Sequence, residues 1–299
     1  MTIRHLRLVF LVFLAGLVAA CGQPGEREDG TSEDANPLLW EIARADGSTQ
    51  GWLLGTIHAL PDGSQWRNAA VDRVVADADL LAVEIASLDD GHAMARAFTP
   101  LATSPGQPPL TARVSSAQRE PLTELVGETS YRLEDFGEIE SWGAALILSQ
   151  AVRSNAKREN GIDRALIDEF ARDRVIELEG AQRQFAVFDT LSESAQRAML
   201  ASIVEEAEAD PARRERPVRV FLSGDADTLE RLTREGILGN PEIRTALLTR
   251  RNADWLTQIE RMLAEQPRPL IAVGAAHMVG DDGLVALLEA KGYRVTRVK

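Results

Sequence analysis

Short apolar runs lie near both ends of the chain, and long stretches with helical spacing lie between them. The runs at 38–43, 52–54, 80–86 and 270–273 are almost uninterrupted, which is typical of strands buried inside a sheet. Asp46-Gly47, between the first two runs, is a turn signal that predicts a hairpin. The pattern therefore predicts a sheet whose strands come from distant parts of the chain.

Helical spacing dominates the chain between residues 92 and 265. Residues 138–153 are predicted to form an apolar helix, and residues 241–265 an amphipathic helix with one apolar stripe. Asp163 is positioned to cap another helix, and the alternating residues 175–179 are typical of an edge strand. We therefore expect helices to outnumber strands in this region.

The last residues form a regular strand–helix–strand pattern. After a strand at 269–273, a helix over 281–291 is predicted to begin at Asp281-Asp282, and Gly292 ends it before a strand at 293–298. Such a unit is typical of a crossover between parallel strands. Few strands and many helices predict an α/β fold with a modest central mixed sheet, a thick helical layer and a site at the strand carboxyl ends.

The first residues have the order of a secretory leader. Arg4 and Arg7 precede an apolar stretch at 8–17, and small residues lead up to Cys21. This pattern resembles a bacterial lipobox, and it predicts that residues 1–20 are a signal peptide and that Cys21 becomes a diacylated first residue. The apolar stretch is shorter than the roughly 20 residues that a membrane span needs. The alternative is an uncleaved anchor helix with a chance cysteine.

The remaining chain divides into a tether and a folded part. Residues 21–36 are polar and acidic, so we expect a flexible, lipid-anchored tether that cannot bury a core. Residues 37–299 are long enough to bury a core and are predicted to form a single domain. The expected location is a bacterial cell envelope, on the periplasmic side, and Gly22 after the cysteine is consistent with the outer membrane.

Composition and charge narrow the chemistry. Cys21 is the only cysteine, which excludes a disulfide, a thiol nucleophile and a cysteine-ligated zinc site. The net charge is −13, and removal of a leader with two arginines and no acid makes the mature chain more acidic still. Such a chain is not expected to bind nucleic acid or a membrane through a basic patch, so the predicted lipid on Cys21 is the expected membrane contact. The sequence predicts no particular oligomeric state.

The chain contains two Gly-x-x-His motifs, Gly55–His58 and Gly274–His277, each directly after an apolar run. Glycine allows a sharp turn at the end of a strand, and the next side chains then lie at the carboxyl edge of the sheet, where α/β proteins bind ligands. Imidazole is a metal ligand and a general base near neutral pH. The motifs predict a paired-histidine site, and the alternative is that each histidine only packs or caps.

Glu84 is a third candidate because it is a carboxylate within an apolar run. A buried carboxylate is costly unless it is paired or bound to a metal. The alternative is an exposed position beside Asp89 and Asp90. Of the other two histidines, His92 lies in a polar segment and is expected to be solvated, and His5 lies in the leader.

Several separated segments of the folded part carry a family pattern. The segments are Leu39–Ile42, Leu53–His58, Asp79–Glu84, Gly161–Asp163, Leu178–Glu179 with Gln184, Arg251–Asn252, and Val273–Gly283 with Gly292–Tyr293. Together they resemble the TraB/GumN family, which is related to the Tiki-type membrane proteases. The opening and closing segments are the specific ones. The middle departs from the pattern, because Glu179-Gly180-Ala181 lacks the threonine expected after the glutamate, and Glu179 is assigned no role.

The resemblance implies a site and a reaction. Tiki-type members are metal-dependent proteases whose two Gly-x-x-His motifs and a glutamate form the site. By resemblance, His58, His277 and Glu84 would hold a divalent metal, expected to be Mn, Co or Zn. Glu84 would be a ligand or the general base. Arg251 would stabilise an oxyanion or form a salt bridge on its helix.

These inferences predict an exported, lipid-anchored, metal-dependent hydrolase, and more narrowly a peptidase that acts on a peptide or protein substrate. A serine triad is not supported, because the chain has no Gly-x-Ser-x-Gly elbow. The alternative is a non-enzymatic lipoprotein that binds a ligand, a metal or a partner on the same scaffold.

Overall fold

The computed structural model describes residues 35–152, 155–265 and 268–298. Within these residues a six-stranded mixed sheet has the strand order β4-β3-β5-β2-β1-β6. The strands are β1 (Leu39–Ala43), β2 (Thr49–Thr56), β3 (Leu80–Val83), β4 (Val175–Glu177), β5 (Pro269–Gly274) and β6 (Arg294–Val298). All four predicted apolar runs contribute strands, and β4 lies at an edge as predicted.

The strands β4, β3, β5 and β2 are parallel to one another, whereas β1 is antiparallel to both of its neighbours. The predicted hairpin joins β1 to β2, and Gly47 supplies the turn with a positive φ of 87°. The strand β6 pairs with β1 and therefore runs parallel to β5, with two strands between them. The predicted α/β fold with a mixed sheet is confirmed.

Helices make up most of the described chain between β3 and β5. The α-helices are α1 (Ala69–Asp77), α2 (Gly91–Ala102), α3 (Arg119–Gly127), α4 (Ser141–Leu148), α5 (Ile162–Glu169), α6 (Gly180–Asp189), α7 (Glu193–Glu208), α8 (Pro211–Ser223), α9 (Ala226–Leu232), α10 (Pro241–Arg244), α11 (Arg250–Ala264) and α12 (Leu284–Ala290). Short 3₁₀ turns lie at Leu110–Ala112, Ser116–Gln118, Leu133–Phe136, Ser149–Ala151, Arg158–Asn160, Arg172–Arg174, Gly236–Gly239 and Ala275–His277. A π-helical turn, Thr245–Thr249, joins α10 to α11, so the helix predicted over 241–265 is continuous but locally wider.

Two groups of buried apolar side chains fill the molecule. The first surrounds the sheet and includes Leu53 of β2, Ile271 of β5 and Trp255 of α11. The second lies among the helices and includes Phe98 of α2 and Trp142 of α4, whose rings meet edge to face with centroids 5.2 Å apart. This second group forms the thick helical layer that the sequence predicts.

Two of the predicted helix caps are wrong. The N-cap of α5 is Gly161 rather than Asp163, because the Asp163 carboxylate turns inward to the end of β2. The N-cap of α12 is Gly283 rather than Asp281 or Asp282, because the Asp282 carboxylate accepts hydrogen bonds from the segment that joins α10 to α11. The Asp163 and Asp282 carboxylates thus bond across the fold instead of to their own helices.

The predicted signal peptide, Cys21 and nearly all of the predicted tether lie outside the described residues. The last two tether residues are packed against the fold. Ala35 is buried and accepts a hydrogen bond from Asn68 at 3.0 Å, and Asn36 donates one to the Ser223 carbonyl at 2.8 Å. No helix in the described part of the chain combines the length and the apolar character that a membrane crossing requires.

Candidate functional site

Three neighbouring parallel strands end at one edge of the sheet, and each is followed by a predicted site residue. His58 follows β2, Glu84 follows β3, and His277 lies in the 3₁₀ turn after β5. Because β5 pairs in parallel with both β2 and β3, all three residues leave the same edge. Arg251 hydrogen-bonds to both Glu84 and His277, so these two side chains meet at this edge, and the charge of Glu84 raises the pKa of His58.

Arg251 joins the acidic and histidine residues of this edge. A guanidinium has five N–H groups, and here every one has an acceptor. Nη2 donates to Oε2 of Glu84 at 2.6 Å and to Oε1 of Glu179, and Nε donates to Oε2 of Glu179 at 3.1 Å. Nη1 donates to the Leu247 carbonyl and to Nε2 of His277, each at 3.1 Å. In this arrangement Arg251 is buried and has no N–H left for an oxyanion.

The π-helical turn before α11 positions Arg251. Such turns are often found at functional sites, because they shift side chains out of the regular helical order. Arg244 and Thr249, at the two ends of the turn, donate to the Asp282 carboxylate and so tie the turn to the chain after β5. The guanidinium also packs over the Trp255 ring, 4.5 Å from its centroid.

Glu84 lies just beyond the end of β3 and is 2% exposed, so the alternative of a solvated position beside Asp89 and Asp90 is wrong. Its Oε1 accepts a hydrogen bond from the Gly274 backbone N–H at 2.8 Å. Burial is the largest single influence and raises the pKa of Glu84, but the charge of Arg251, the two histidines and the Gly274 N–H together outweigh burial and hold the pKa at about 2. The carboxylate is therefore ionised at neutral pH.

Glu179 belongs to the site, although its sequence context assigned it no role. The Gly180 backbone N–H donates to the Glu84 carbonyl at 3.0 Å, which sets the two acidic residues side by side. Burial raises the pKa of Glu179, and the charge of Arg251 opposes that rise. The signal in the sequence was its place at the end of the predicted edge strand, 175–179. This chain lacks the threonine that the family pattern has after the glutamate, and that difference outweighed the signal.

The hydrogen-bond network assigns the tautomer of His277. Asn252 donates from Nδ2 to the Asp282 carbonyl at 2.8 Å, so its Oδ1 accepts from Nδ1 of His277 at 2.6 Å. The proton therefore lies on Nδ1, and the lone pair of Nε2 faces Arg251. Burial and the charge of Arg251 lower the pKa of His277 to about 3, so the ring is neutral. Asn252 was visible in the sequence as part of the Arg-Asn pair, without this role.

His58 is held in a different way. Its Nδ1 donates to Oδ2 of Asp163 at 2.7 Å, and Thr56 fixes the same carboxylate through a 2.7 Å bond to Oδ1. Burial is the largest single influence and lowers the pKa of His58, but the charge and the hydrogen bond of Asp163, together with the charge of Glu84, outweigh burial and raise the pKa to about 9. Nε2 of His58 is buried and has no hydrogen-bond partner within the described residues. At neutral pH this nitrogen therefore carries a proton that a water or a substrate can accept, and it can bind a metal only after that proton is lost.

The bond to Asp163 predicts an elevated titration of His58. We expect the wild-type ring to lose its proton at about pH 9, and the Asp163→Asn variant to titrate below 6.5, because burial and the charge of Arg251 then outweigh the charge of Glu84. The bond stabilises the fold fully below pH 6.5, and this contribution is lost as the pH rises through 9. Histidine Hε1 NMR signals in EDTA measure both midpoints. A wild-type His58 midpoint of 6.5 or lower would contradict the assignment.

Gly161 allows α5 to begin directly against the loop that carries His58. The Ile162 N–H donates to the Ile57 carbonyl at 3.0 Å, and a Cβ on Gly161 would lie 2.4 Å from the His58 carbonyl oxygen. Gly161→Ala is therefore expected to lower the free energy of unfolding by about 2 kcal/mol or more, measured by urea denaturation. The control is Gly127→Ala, where a Cβ meets nothing within 4 Å and no loss is expected. Equal stability of the two variants would contradict this prediction.

In this arrangement the three residues predicted to hold a metal do not all have a free ligand atom for one ion. Arg251 holds Oε2 of Glu84 and Nε2 of His277, while Nε2 of His58 is open. In the three described ranges, no group of three or more His, Cys, Asp and Glu side chains is arranged to hold a metal. The set of His58, Glu84 and His277 thus does not fit a metal as long as Arg251 keeps these bonds.

The remaining candidates lie apart from this edge. His92 is exposed in the first turn of α2, in agreement with the expected solvated side chain, although it lies on a helix rather than in a loop. Cys21 and His5 lie outside the described residues. The candidate site therefore consists of residues that follow the parallel strands, together with the start of α11.

Comparison with known proteins extends the resemblance found in the sequence. A sequence model of the TraB/PrgY/gumN family matches residues 38–297, a range that begins at β1 and ends within β6. A search of curated proteins and a search of solved structures found no match. The matched range includes every residue of the site described above. The chain therefore belongs to the TraB/PrgY/gumN family.

Proposed function

We propose that this protein is a hydrolase of peptide or related acyl bonds that acts at the cluster of His58, Glu84, Arg251 and His277. The observation that carries the proposal is the pair of His58 and Asp163, whose open Nε2 lies at the carboxyl edge of the sheet. Hydrolases move protons with a histidine that a carboxylate holds through Nδ1 and that is open at Nε2. The resemblance to Tiki-type proteases supports the choice of a peptide substrate.

His58 and Asp163 would supply the acid–base chemistry. With a pKa of about 9 His58 is mostly protonated at neutral pH. In its neutral form it can take a proton from an attacking water at Nε2, and the Asp163 carboxylate stabilises the resulting imidazolium. The imidazolium can then return the proton to the leaving amine. Thr56 keeps the Asp163 carboxylate in place through its own hydrogen bond, so that the ring orientation is maintained during both transfers.

The buried charges beside His58 would set the electrostatic field at the reacting carbonyl. Glu84 and Glu179 both pair with Arg251, so two carboxylates share one guanidinium. Because all five N–H groups of Arg251 have acceptors inside the protein, we expect Arg251 to act as a fixed charge rather than as a direct donor to an oxyanion. Ionised Glu84 would favour the positive charge that His58 gains when it accepts a proton.

The test uses the full chain in detergent with a library of peptides, before and after EDTA, and then with Mn²⁺, Co²⁺ or Zn²⁺ added back. If the protein is a metal-dependent hydrolase, as the sequence predicts, EDTA will abolish cleavage and one of these ions will restore it. Cleavage that resists EDTA would support the hydrolase and contradict the metal requirement. No cleavage in any arm would contradict the hydrolase.

A non-enzymatic lipoprotein that binds a ligand, a metal or a partner is the second candidate. The observation in its favour is that Arg251 directs all of its N–H groups to acceptors inside the protein. Such a protein would gain thermal stability with a peptide or an ion and would never turn it over. Thermal shift measurements on the wild-type chain and on His58→Ala, run beside the cleavage assay, separate the two functions.

We also propose that Cys21 anchors the protein in a bacterial envelope, facing the periplasm. Cys21→Ser is expected to block removal of residues 1–20 or to release the chain from membranes, because the acylated thiol is lost. Membrane fractionation and mass spectrometry of the N-terminal peptide measure the two effects. Ser32→Ala, in the predicted tether, is the control and should behave as the wild type. Unchanged processing and unchanged membrane retention of Cys21→Ser would contradict the anchor.

A further inference from the structure

A guanidinium fills the space between Glu84, Glu179 and His277. Nη2 of Arg251 lies 2.6 Å from Oε2 of Glu84, and Nη1 lies 3.1 Å from Nε2 of His277. The two carboxylates and the guanidinium are nearly inaccessible to solvent, so the cluster keeps a cation in its interior. In this structure the cation is a side chain of the protein itself.

Both histidines nevertheless have the surroundings of metal ligands. A metal-bound imidazole usually donates its other N–H to a carboxylate or another oxygen, which leaves a lone pair on the ligating nitrogen. Nδ1 of His277 donates to Oδ1 of Asn252, and Nδ1 of His58 donates to Oδ2 of Asp163. The His277 ring would not have to change its tautomer to bind an ion through Nε2, whereas His58 would first have to release the proton that Asp163 stabilises. At His277, however, Arg251 already takes that position.

We propose that Arg251 and a divalent metal ion are alternative cations for the space between Glu84, Glu179 and His277. The lone pairs of Glu84 and His277 that would bind a metal are the ones that accept hydrogen bonds from Arg251. Arg251 therefore lowers the affinity of the cluster for a metal, and a metal binds only after the guanidinium leaves these two residues. This inference concerns cation binding and does not depend on whether the protein turns over a substrate.

Glu179 gives the displaced guanidinium a partner. It accepts hydrogen bonds from both Nε and Nη2 of Arg251, independently of Glu84 and His277. Arg251 can thus withdraw from the metal-binding atoms while it keeps one carboxylate, and the positive charge moves away from the incoming ion. A two-pronged contact of this kind is the strongest that a guanidinium makes with a carboxylate.

The test is a comparison of metal affinity between the wild-type chain and Arg251→Met. We expect Arg251→Met to bind Mn²⁺ and Zn²⁺ on the order of tenfold more tightly or better, because a competing positive charge is gone. Isothermal titration measures both ions, and electron paramagnetic resonance counts bound Mn²⁺. The control is Arg250→Met, which removes the same charge from an exposed neighbouring position on α11 and should leave the affinity unchanged.

The gain in metal affinity is expected to depend on Oε2 of Glu84 and Nε2 of His277, which accept hydrogen bonds from Arg251 in the wild type. Adding Glu84→Gln or His277→Ala to Arg251→Met is expected to return the affinity to the wild-type level or below. Arg251→Lys keeps a positive charge at the position and is expected to show little of the gain. These comparisons separate a site opened at this cluster from a general effect of charge on the acidic chain.

Loss of Arg251 leaves two buried carboxylates without a cation, so the single variant is accompanied by Arg251→Met/Glu179→Gln, which removes one of the two charges. The double variant keeps Glu84 and His277 and should show the same gain in affinity. Folded variants that bind both ions no more tightly than the wild type would overturn the proposal. A gain that persists without Glu84 and His277, or that appears equally in Arg250→Met, would overturn it too.

Discussion

Replacement of Arg251 by alanine is expected to lower the free energy of unfolding by about 3–5 kcal/mol, which is typical when one partner of a buried ion pair is removed. The Arg251 side chain is 3% exposed, and its loss leaves Glu84 and Glu179 as neighbouring buried carboxylates without their cation. Urea unfolding followed by circular dichroism measures the loss. The experiment is done in EDTA, so that a metal ion cannot replace the missing charge.

Two comparisons isolate the cause of that loss. Arg250→Ala lies next to it on α11 but is exposed, and it is expected to change the stability by less than about 0.5 kcal/mol. Adding Glu84→Gln and Glu179→Gln to Arg251→Ala is expected to recover part of the stability, because the unpaired charges are removed together. A loss below about 1 kcal/mol for Arg251→Ala would show that the buried ion pairs are not formed as described.

Replacement of His58 by alanine is expected to lower kcat/KM on a cleaved peptide by about 10²–10⁴-fold, which is the usual contribution of a general acid or base. The expectation rests on the proposed hydrolase activity. His58 is the residue of the cluster whose ring nitrogen is buried and open within the described chain, so its loss removes the group that would move the proton. Steady-state kinetics on a peptide from the library screen gives the ratio.

His92→Ala is the matched control, because it removes an exposed histidine on α2 and should leave the kinetics unchanged. Asp163→Asn keeps the ring of His58 and removes the carboxylate that holds it, so we expect a smaller loss of turnover together with a shifted pH profile. Circular dichroism checks that each variant is folded. Wild-type turnover by a folded His58→Ala variant would rule out the proposed acid–base role.

The sheet and the location of the site follow from local features of the sequence. Apolar runs with turn residues at their ends predict the strands, because a buried strand needs apolar side chains on both faces. The two Gly-x-x-His motifs directly follow such runs, and Glu84 lies within one of them. Carboxyl ends of neighbouring parallel strands meet at one edge, so the convergence of His58, Glu84 and His277 is predictable from the sequence pattern alone.

The partners of these residues could not be predicted in the same way, because they come from distant positions. Arg251 lies 167 positions from Glu84 and 72 positions from Glu179, and the bond between His58 and Asp163 spans 105 positions. The local pattern made Asp163 a helix cap and gave Glu179 no role. Both assignments changed because tertiary packing offers a carboxylate stronger partners, a histidine or a guanidinium, than local backbone N–H groups do.

The two histidines show most clearly what the sequence determines and what the tertiary structure determines. The sequence by itself determined that His58 and His277 occupy the same kind of position, after a glycine at the end of a parallel strand. Only the tertiary structure decided their charge. His58 meets Asp163 and has a pKa of about 9, whereas His277 is buried beside Arg251 and has a pKa of about 3. The physical reason is that the pKa of a buried imidazole depends on the nearest charge, and the fold alone selects that charge.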